Sequence, residues 1–525
     1  MFLDKIWINS FKKYQSIFFL ILILIIGFFL ILNALFNRGP LWDDEIISLM
    51  LASPQRNFSQ FFDYLLAENS PPIFYIMLRF WLIFLPQDVV TPLLLPVIIS
   101  FMSIVAIYLL GKEIFSDEVG LLAALLTAVS VFVTYYGIEV RMYILVFLLT
   151  TLSIYFFWRY YKKEKLIDLI YYFIFSLLLV GSHLQGLFVI LAQDFFIIID
   201  HLIFNKTKPK VIWRLFFSQI IIGLIFLIWF VPFLIAKFYT ANLGWYFYMG
   251  YDDIHFFRSL FGLFLIFNSS DLIIELLIYA LIFLYIVPLK KQGRKKWSIP
   301  SLEINREKLF ILTIFLVSLI FFYYIYTAFN FFMAKYFLII IVPFFIILAK
   351  GLEALRQLNK KLYRVVFFLF IFIIATNNLL SFAGGSLRHD WDKIAEKIER
   401  NEGQGDKIIS ENFFRKISLQ NYYRGNLPVE GFYPLENDKT EFERYLTDNW
   451  KFIVDKNNVI KLEDSTQGFK RIFLISDFVT DQKRLVYKWF IKNKWELIEQ
   501  EGYNDGLILS IFSKESANKE ISNED

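Results

Sequence analysis

Three consecutive carboxylates, Asp43-Asp44-Glu45, follow Gly39-Pro40-Leu41-Trp42 just beyond a long apolar run. A carboxylate shielded by apolar helices at a membrane boundary has its pKa raised toward neutrality and becomes a usable general base. The same acids also suit a helix start, because Asp43 precedes Ile46, Ile47 and Leu49 and acids favour the first turn. Further on, Tyr135-Tyr136-Gly137-Ile138-Glu139-Val140-Arg141-Met142-Tyr143 leaves Glu139 and Arg141 between two apolar runs with almost no loop. A guanidinium there clamps a phosphate, or it joins an ion pair that ends two helices. His183, followed by Gln185, and the pair Lys335-Tyr336 occupy two other short connections. An ammonium and a phenol in such a turn can meet an anionic head group or anchor the chain at the interface. A lone His is a hydrogen-bond partner or an acid-base group.

Groups so arranged need membrane helices to position them. Of the 525 residues, 57% are hydrophobic and 19% charged, against about 25% charged in an average globular chain. The missing charge is concentrated in apolar runs, which excludes an ordinary soluble protein. These runs predict about eleven spans, over 16–36, 89–110, 119–136, 142–158, 169–181, 184–199, 215–238, 272–289, 309–329, 331–349 and 365–382. Two shorter apolar stretches, 73–85 and 256–267, are read as interfacial helices. The absence of cysteine rules out disulfides, thiolate metal sites and cysteine nucleophiles. Four scattered histidines argue against a His-rich metal cluster.

Composition changes near Gly384: about 53 charged residues lie in 1–383 and about 48 in 384–525. The boundary divides a membrane domain, 1–383, whose first external loop, 37–88, carries the acidic motif and an interfacial helix, from a soluble domain, 384–525. The latter reads as a small α/β unit, with helices over 390–400 and 482–493, strands over 407–410, 452–454 and 471–476, and a hairpin over 496–513 around Asn504-Asp505-Gly506. It lacks a glycine-rich phosphate loop. With the N-terminus in the cytoplasm, alternate connections carry about 24 Lys and Arg on the inner side and about 7 on the outer. An odd number of spans then exports the C-terminal domain.

In order along the chain, four stretches resemble the GT-C glycosyltransferases that use lipid-linked sugars: Asp44-Glu45 after the first span, Ser70-Pro71-Pro72-Ile73-Phe74-Tyr75-Ile76-Met77-Leu78-Arg79, Glu139-Val140-Arg141-Met142-Tyr143, and Ser182-His183-Leu184-Gln185-Gly186-Leu187-Phe188. Protein O-mannosyltransferases, the lipid A aminoarabinose transferase and bacterial core galacturonosyltransferases are the families most similar in pattern. Lys335-Tyr336 resembles an Arg-Tyr element before a late span, with a point charge where the family has a fork. The resemblance implies a polytopic α-helical GT-C protein of about eleven spans with a small exported α/β domain. It implies inverting transfer from a polyprenyl-phosphate sugar to a glycolipid, polysaccharide or protein acceptor at the outer face of a bacterial cytoplasmic membrane. Asp44 would be the general base and Glu45 its assistant. Arg141, Lys335, Tyr336 and His183 would bind the donor phosphate, with Asp43, Glu139, Tyr143 and Arg79 in support. A divalent cation is used by some members, and Asp43, Asp44, Glu45 and Glu139 offer oxygen ligands, but the sequence does not require one. Membrane lipid is an expected partner and nucleic acid is not.

The alternatives are a flippase or transporter of lipid-linked saccharide, an O-antigen polymerase or ligase, and a receptor or scaffold. A transporter should carry its essential charges near the midplane. Here the acids gather at external ends. A polymerase or ligase would be expected to rely on a larger late external loop.

Overall fold

The computed structural model describes residues 2–67, 70–85, 90–204, 208–240, 272–287, 290–292, 296–298, 305–329, 334–383, 390–411, 413–431, 459–460, 462–477 and 484–514. The expected interfacial helix over 256–267 and strand over 452–454 lie outside these residues. The chain forms two compact units. One holds Met1–Leu35, Leu51–Ala236 and Tyr246–Ala383; the other includes Phe36–Met50 with Gly384–Asp525.

Over its described residues, each of the eleven predicted spans coincides with helix. In chain order the helices are α1 (Phe2–Asn37), α2 (Asp43–Ala52), α3 (Phe58–Ala67), α4 (Ile73–Phe84), α5 (Thr91–Ile114), α6 (Asp117–Val129), α7 (Val131–Gly137), α8 (Tyr143–Lys163), α9 (Leu166–Val180), α10 (Gly186–Phe204) and α11 (Pro209–Thr240). They continue as α12 (Leu272–Ile286), α13 (Arg306–Phe329), α14 (Leu338–Leu358) and α15 (Lys360–Ala383). A small hairpin, β1 (Lys290–Gln292) with β2 (Lys296–Ser298), pairs antiparallel between α12 and α13. Eight described helices are long and apolar enough to cross a membrane, nine when the bent α6–α7 pair is counted as one span. The protein is therefore a multi-pass membrane protein. α9 and α12, both expected as spans, have 15 described residues each, shorter than the roughly 20 that cross a bilayer upright.

Internal order in the membrane unit follows from burial. α8 and α14 are the most enclosed spans, apolar around most of their circumference as a helix packed by other helices must be. α6 and α7 are broken at Ser130 with a bend of 64°, and the Ser130 hydroxyl caps the new helix by accepting from the Val133 N–H at 3.3 Å. The bend delivers the chain to the tight 138–142 turn.

The second unit contains an α/β sandwich: α16 (Trp391–Asn401), β3 (Asp406–Ser410), α17 (Phe413–Tyr422), β4 (Val429–Gly431), α18 (Leu462–Thr466), β5 (Arg471–Asp477), α19 (Leu485–Lys492), β6 (Trp495–Gly502) and β7 (Leu507–Lys514). The sheet order is β4-β3-β5-β7-β6, parallel across β4, β3 and β5 and antiparallel beyond. Alternation along β5 explains the layers. Phe473 and Ile475 pack with Trp391, Ile394 and Ile398 of α16, while Ile472 and Leu474 pack with Val486 and Phe490 of α19. α17, β4 and α18 are additions to the elements expected from the sequence.

Candidate functional site

In the membrane unit, four connections at one end of the bundle bring their polar side chains together. α4 begins behind Pro72, and its buried side, Phe74, Tyr75, Leu78, Arg79 and Leu82, has helical spacing. Its first N–H, that of Ile73, donates to the Gly181 carbonyl at 2.9 Å. A Cβ on Gly181 would fall 2.6 Å from Ile73 Cγ1, so only glycine allows this approach. α4 is thus locked to the turn that carries His183.

Within the cluster, Arg141 Nη1 donates to the Tyr75 hydroxyl at 2.9 Å. The Arg141 N–H donates to the Glu139 carbonyl at 2.7 Å, which closes the turn in front of α8; Glu139 itself is buried. Lys335, in a 3-10 turn over Ala334–Phe337, holds its ammonium 5.1 Å from the centre of the Tyr143 ring. The rings of His183 and Tyr336 lie 5.3 Å apart, and Tyr143 packs edge-on to Tyr136 at 5.2 Å. The five residues Arg141, His183, Lys335, Tyr336 and Tyr143, picked out from separate stretches, therefore share one neighbourhood.

Burial, together with the positive charges of Lys335 and Arg141, pushes the His183 imidazole down to about 3. The ring is neutral at physiological pH. Its Nδ1 accepts from the Gln185 N–H at 3.2 Å, so the proton resides on Nε2 and that nitrogen is a donor. The cluster thus offers a guanidinium, an ammonium, a neutral imidazole N–H and phenols, the donor set that suits an oxyanion.

The acidic motif belongs to the other unit. Gly39, with φ +72°, turns the chain where a side chain would be strained, and α2 then opens with the three acids in its first turn. Their surroundings differ. Glu45 is buried with Arg38 in an ion pair and accepts from the Trp42 N–H at 3.1 Å, one arm of a capping box. Asp43 accepts from Arg415 and Ser418 of α17. Asp44 is half-buried, and its carbonyl accepts from the Ser48 hydroxyl at 2.9 Å. The acids of one turn are therefore held differently: Glu45 caps, and Asp44 keeps partial access.

Arg79 is turned elsewhere. Its guanidinium donates to the carbonyls of Ser53 and Arg56 and stacks over Phe61 at 4.9 Å, fastening the α2–α3 connection.

Comparison with solved structures identifies the architecture. ArnT from Cupriavidus metallidurans, solved with undecaprenyl phosphate, superposes with a TM-score of 0.60 at 11% identity, over 95% of this chain and 98% of that one. This is the GT-C fold. Two further GT-C structures are similar. AglB from Archaeoglobus fulgidus, in complex with an inhibitory peptide and a dolichol-phosphate, has a TM-score of 0.50 at 13% identity, over 89% of this chain and 70% of that one. The arabinofuranosyltransferase AftD from Mycobacteria has a TM-score of 0.50 at 13% identity, over 94% of this chain and 41% of that one. Residues 69–236 match the family model described as dolichyl-phosphate-mannose-protein mannosyltransferase. No curated protein matches the sequence significantly. The expected fold is borne out.

For a GT-C chain with four candidate oxygen ligands, a divalent cation is the cofactor to test. Among the described residues, no group of three or more His, Asp or Glu side chains converges to hold a metal. Asp43 and Glu45 are instead engaged by Arg415 and Arg38. The donor set does not fit a metal centre. Tyr75, Arg38 and the α17 side chains Arg415, Ser418 and Tyr422 are additions to the sequence reading. Tyr75 had a signal, since it lies in the quoted Ser-Pro-Pro stretch two residues after the helix begins.

Proposed function

We propose that the chain is a glycosyltransferase that moves a sugar from a polyprenyl-phosphate donor to a glycolipid, polysaccharide or protein acceptor at the outer face of the cytoplasmic membrane. What carries this reading is the convergence of Arg141, Lys335, His183, Tyr336 and Tyr75 at one end of the membrane unit. Support comes from the solved GT-C structures that hold undecaprenyl phosphate and dolichol-phosphate and from the match over 69–236. The excess of Lys and Arg on alternate connections supports a cytoplasmic N-terminus and an exported 384–525 domain.

In the reaction, the acceptor hydroxyl oxygen attacks the anomeric carbon on the face opposite the phosphate. The new glycosidic bond forms as the bond from that carbon to the phosphate oxygen breaks, with inversion. The hydroxyl proton passes to the Asp44 carboxylate, a step worth about 10² to 10⁴ in rate. The departing polyprenyl phosphate keeps the electron pair. Arg141 and Lys335 balance its charge, and His183 Nε2–H and Tyr336 donate hydrogen bonds to it. Glu45 holds the turn that presents Asp44 through Arg38 and the Trp42 N–H.

The test is transfer in membranes supplied with undecaprenyl-phosphate sugars carrying radiolabelled mannose, galacturonate or aminoarabinose. The intact protein is compared with Asp44→Asn at matched expression. Label reaching an acceptor only with the intact protein is the expected result. Unchanged transfer by Asp44→Asn returns that acid to helix capping, and lipid crossing the bilayer without transfer favours a flippase.

A further inference from the structure

The acidic turn is gripped from one face of one helix in the C-terminal domain. Arg415, Ser418 and Tyr422 stand at i, i+3 and i+7 of α17, a single stripe of an α-helix. Arg415 and Ser418 both donate to the Asp43 carboxylate, one to each oxygen. The Leu41 N–H donates to the Tyr422 hydroxyl at 2.5 Å. Leu419, on another side of α17, is fully buried in the core with Trp391 and Ile408. The Arg415 guanidinium also lies 5.9 Å from the Trp391 ring centre, so the stripe is fixed to the body of the domain. Burial and the negative charge of Glu45 raise the Tyr422 phenol above its usual range, against the opposing effects of the Leu41 N–H and Arg38, which keeps it protonated at neutral pH.

Successive residues of a helix are turned by about 100°. Asp43 is held by α17 and Glu45 by Arg38, which fixes the rotation of the first turn of α2 on both sides of Asp44. We infer that Arg415, Ser418 and Tyr422 are positioning residues: the C-terminal domain sets the orientation of the Asp44 carboxylate by clamping Leu41 and Asp43. This rests on the reading of Asp44 as the base. The clamp gives the domain a part in the chemical step, which a module that only recruits acceptors would not have.

The lack of native cysteine makes the clamp testable by a single engineered bond. Asp43→Cys and Ser418→Cys are introduced together into the full-length protein, and transfer from the same radiolabelled undecaprenyl-phosphate sugars is measured oxidised and reduced. A disulfide should form. Transfer should fall about 10- to 100-fold in the reduced pair, the scale expected for a misplaced catalytic group, with the donor KM unchanged, and should recover on oxidation. Arg415→Ala should lower kcat at constant donor KM, and Arg415→Lys should restore part of it. Failure of the disulfide to form, equal transfer by reduced and oxidised protein, or a donor KM that rises in step with the loss would each overturn the clamp. Asp44→Asn in the cysteine-free chain separates the two ideas. Normal transfer by that variant defeats the base assignment itself, whereas loss there with an indifferent Arg415→Ala defeats only the clamp.

Discussion

The two ends of the membrane unit treat positive charge differently. At the end where α5, α8 and α10 finish, cations meet carboxylates on neighbouring helices. Lys112 pairs with Asp117, Lys162 with Glu307, Lys163 with Glu113, Arg159 with Asp168 and Arg306 with Asp200. At the end where α8, α10 and α14 begin, Arg141 meets the Tyr75 hydroxyl, Lys335 meets the face of Tyr143, and His183 lies beside Tyr336. A phenol or ring face fixes where a cation sits and keeps it among groups that also donate hydrogen bonds. The depressed His183 imidazole registers positive field at this second end. One end joins helices through ion pairs, and the other gathers two cations, an imidazole and phenols in one cluster.

Removing a cation should therefore have opposite consequences at the two ends. Arg306→Ala strips the partner from Asp200, which is fully buried and also accepts from the Tyr161 hydroxyl at 2.7 Å. A loss of about 3–5 kcal/mol in stability is expected, the scale for orphaning a buried charge, visible as a large drop in melting temperature. Transfer per folded molecule should be nearly normal. Arg141→Ala should instead lower transfer about 10²- to 10³-fold, as loss of an oxyanion donor does, and weaken binding of undecaprenyl phosphate. Equal damage to activity from both variants would erase the distinction between the ends.

The sequence made the helices legible because apolar runs follow from one physical requirement, a hydrocarbon core that tolerates no open backbone. It also brought Arg141, His183, Lys335 and Tyr336 into view, since charge in a short connection between spans is costly and conspicuous. Residues whose meaning depends on distant packing were harder to read. The resemblance places Arg79 in support of the site, whereas its fork donates to the Ser53 and Arg56 carbonyls. Arg415 and Asp43 are 372 positions apart, and in a charge-rich C-terminal segment an Arg-Lys pair draws no attention. The three adjacent acids were equivalent by composition. Only their neighbours, Arg415 for Asp43 and Arg38 for Glu45, divide their tasks.

Within the Arg141–His183 cluster, finer changes grade the contributions. Tyr75→Phe removes the acceptor of Arg141 Nη1 and keeps the ring. About 1.5–3 kcal/mol is expected for a hydrogen bond to a charged group, read as weaker undecaprenyl phosphate binding with the fold intact. His183 gives a pH signature. Its imidazole is held at about 3 in the folded chain, against about 6.5 when unfolded. The neutral form thus contributes stability that is fully present above the unfolded value and is lost as pH falls toward the folded one. Near pH 5.5 the wild type should lose about 1.3 kcal/mol relative to neutral pH at this site, and His183→Gln should lack that component. Parallel melting curves for the two proteins from about pH 5 to 8 would contradict the depressed imidazole.

The smallest effect belongs to the carboxylate-paired end. Lys208 lies 2.6 Å from Glu164, and both side chains are well exposed, at 68% and 37%. Solvent screening leaves such a pair worth about 0–1 kcal/mol, so Lys208→Gln should hardly move the melting temperature or transfer, and moderate salt should abolish what difference remains. Lys335→Gln removes the same formal charge but takes it from beside Tyr143 and His183. That change should weaken undecaprenyl phosphate binding, and it should raise the His183 imidazole because one of the two cations depressing it is gone. Measured side by side, the two lysines test whether location beside Tyr143 and His183, and not charge alone, decides what a cation does in this protein.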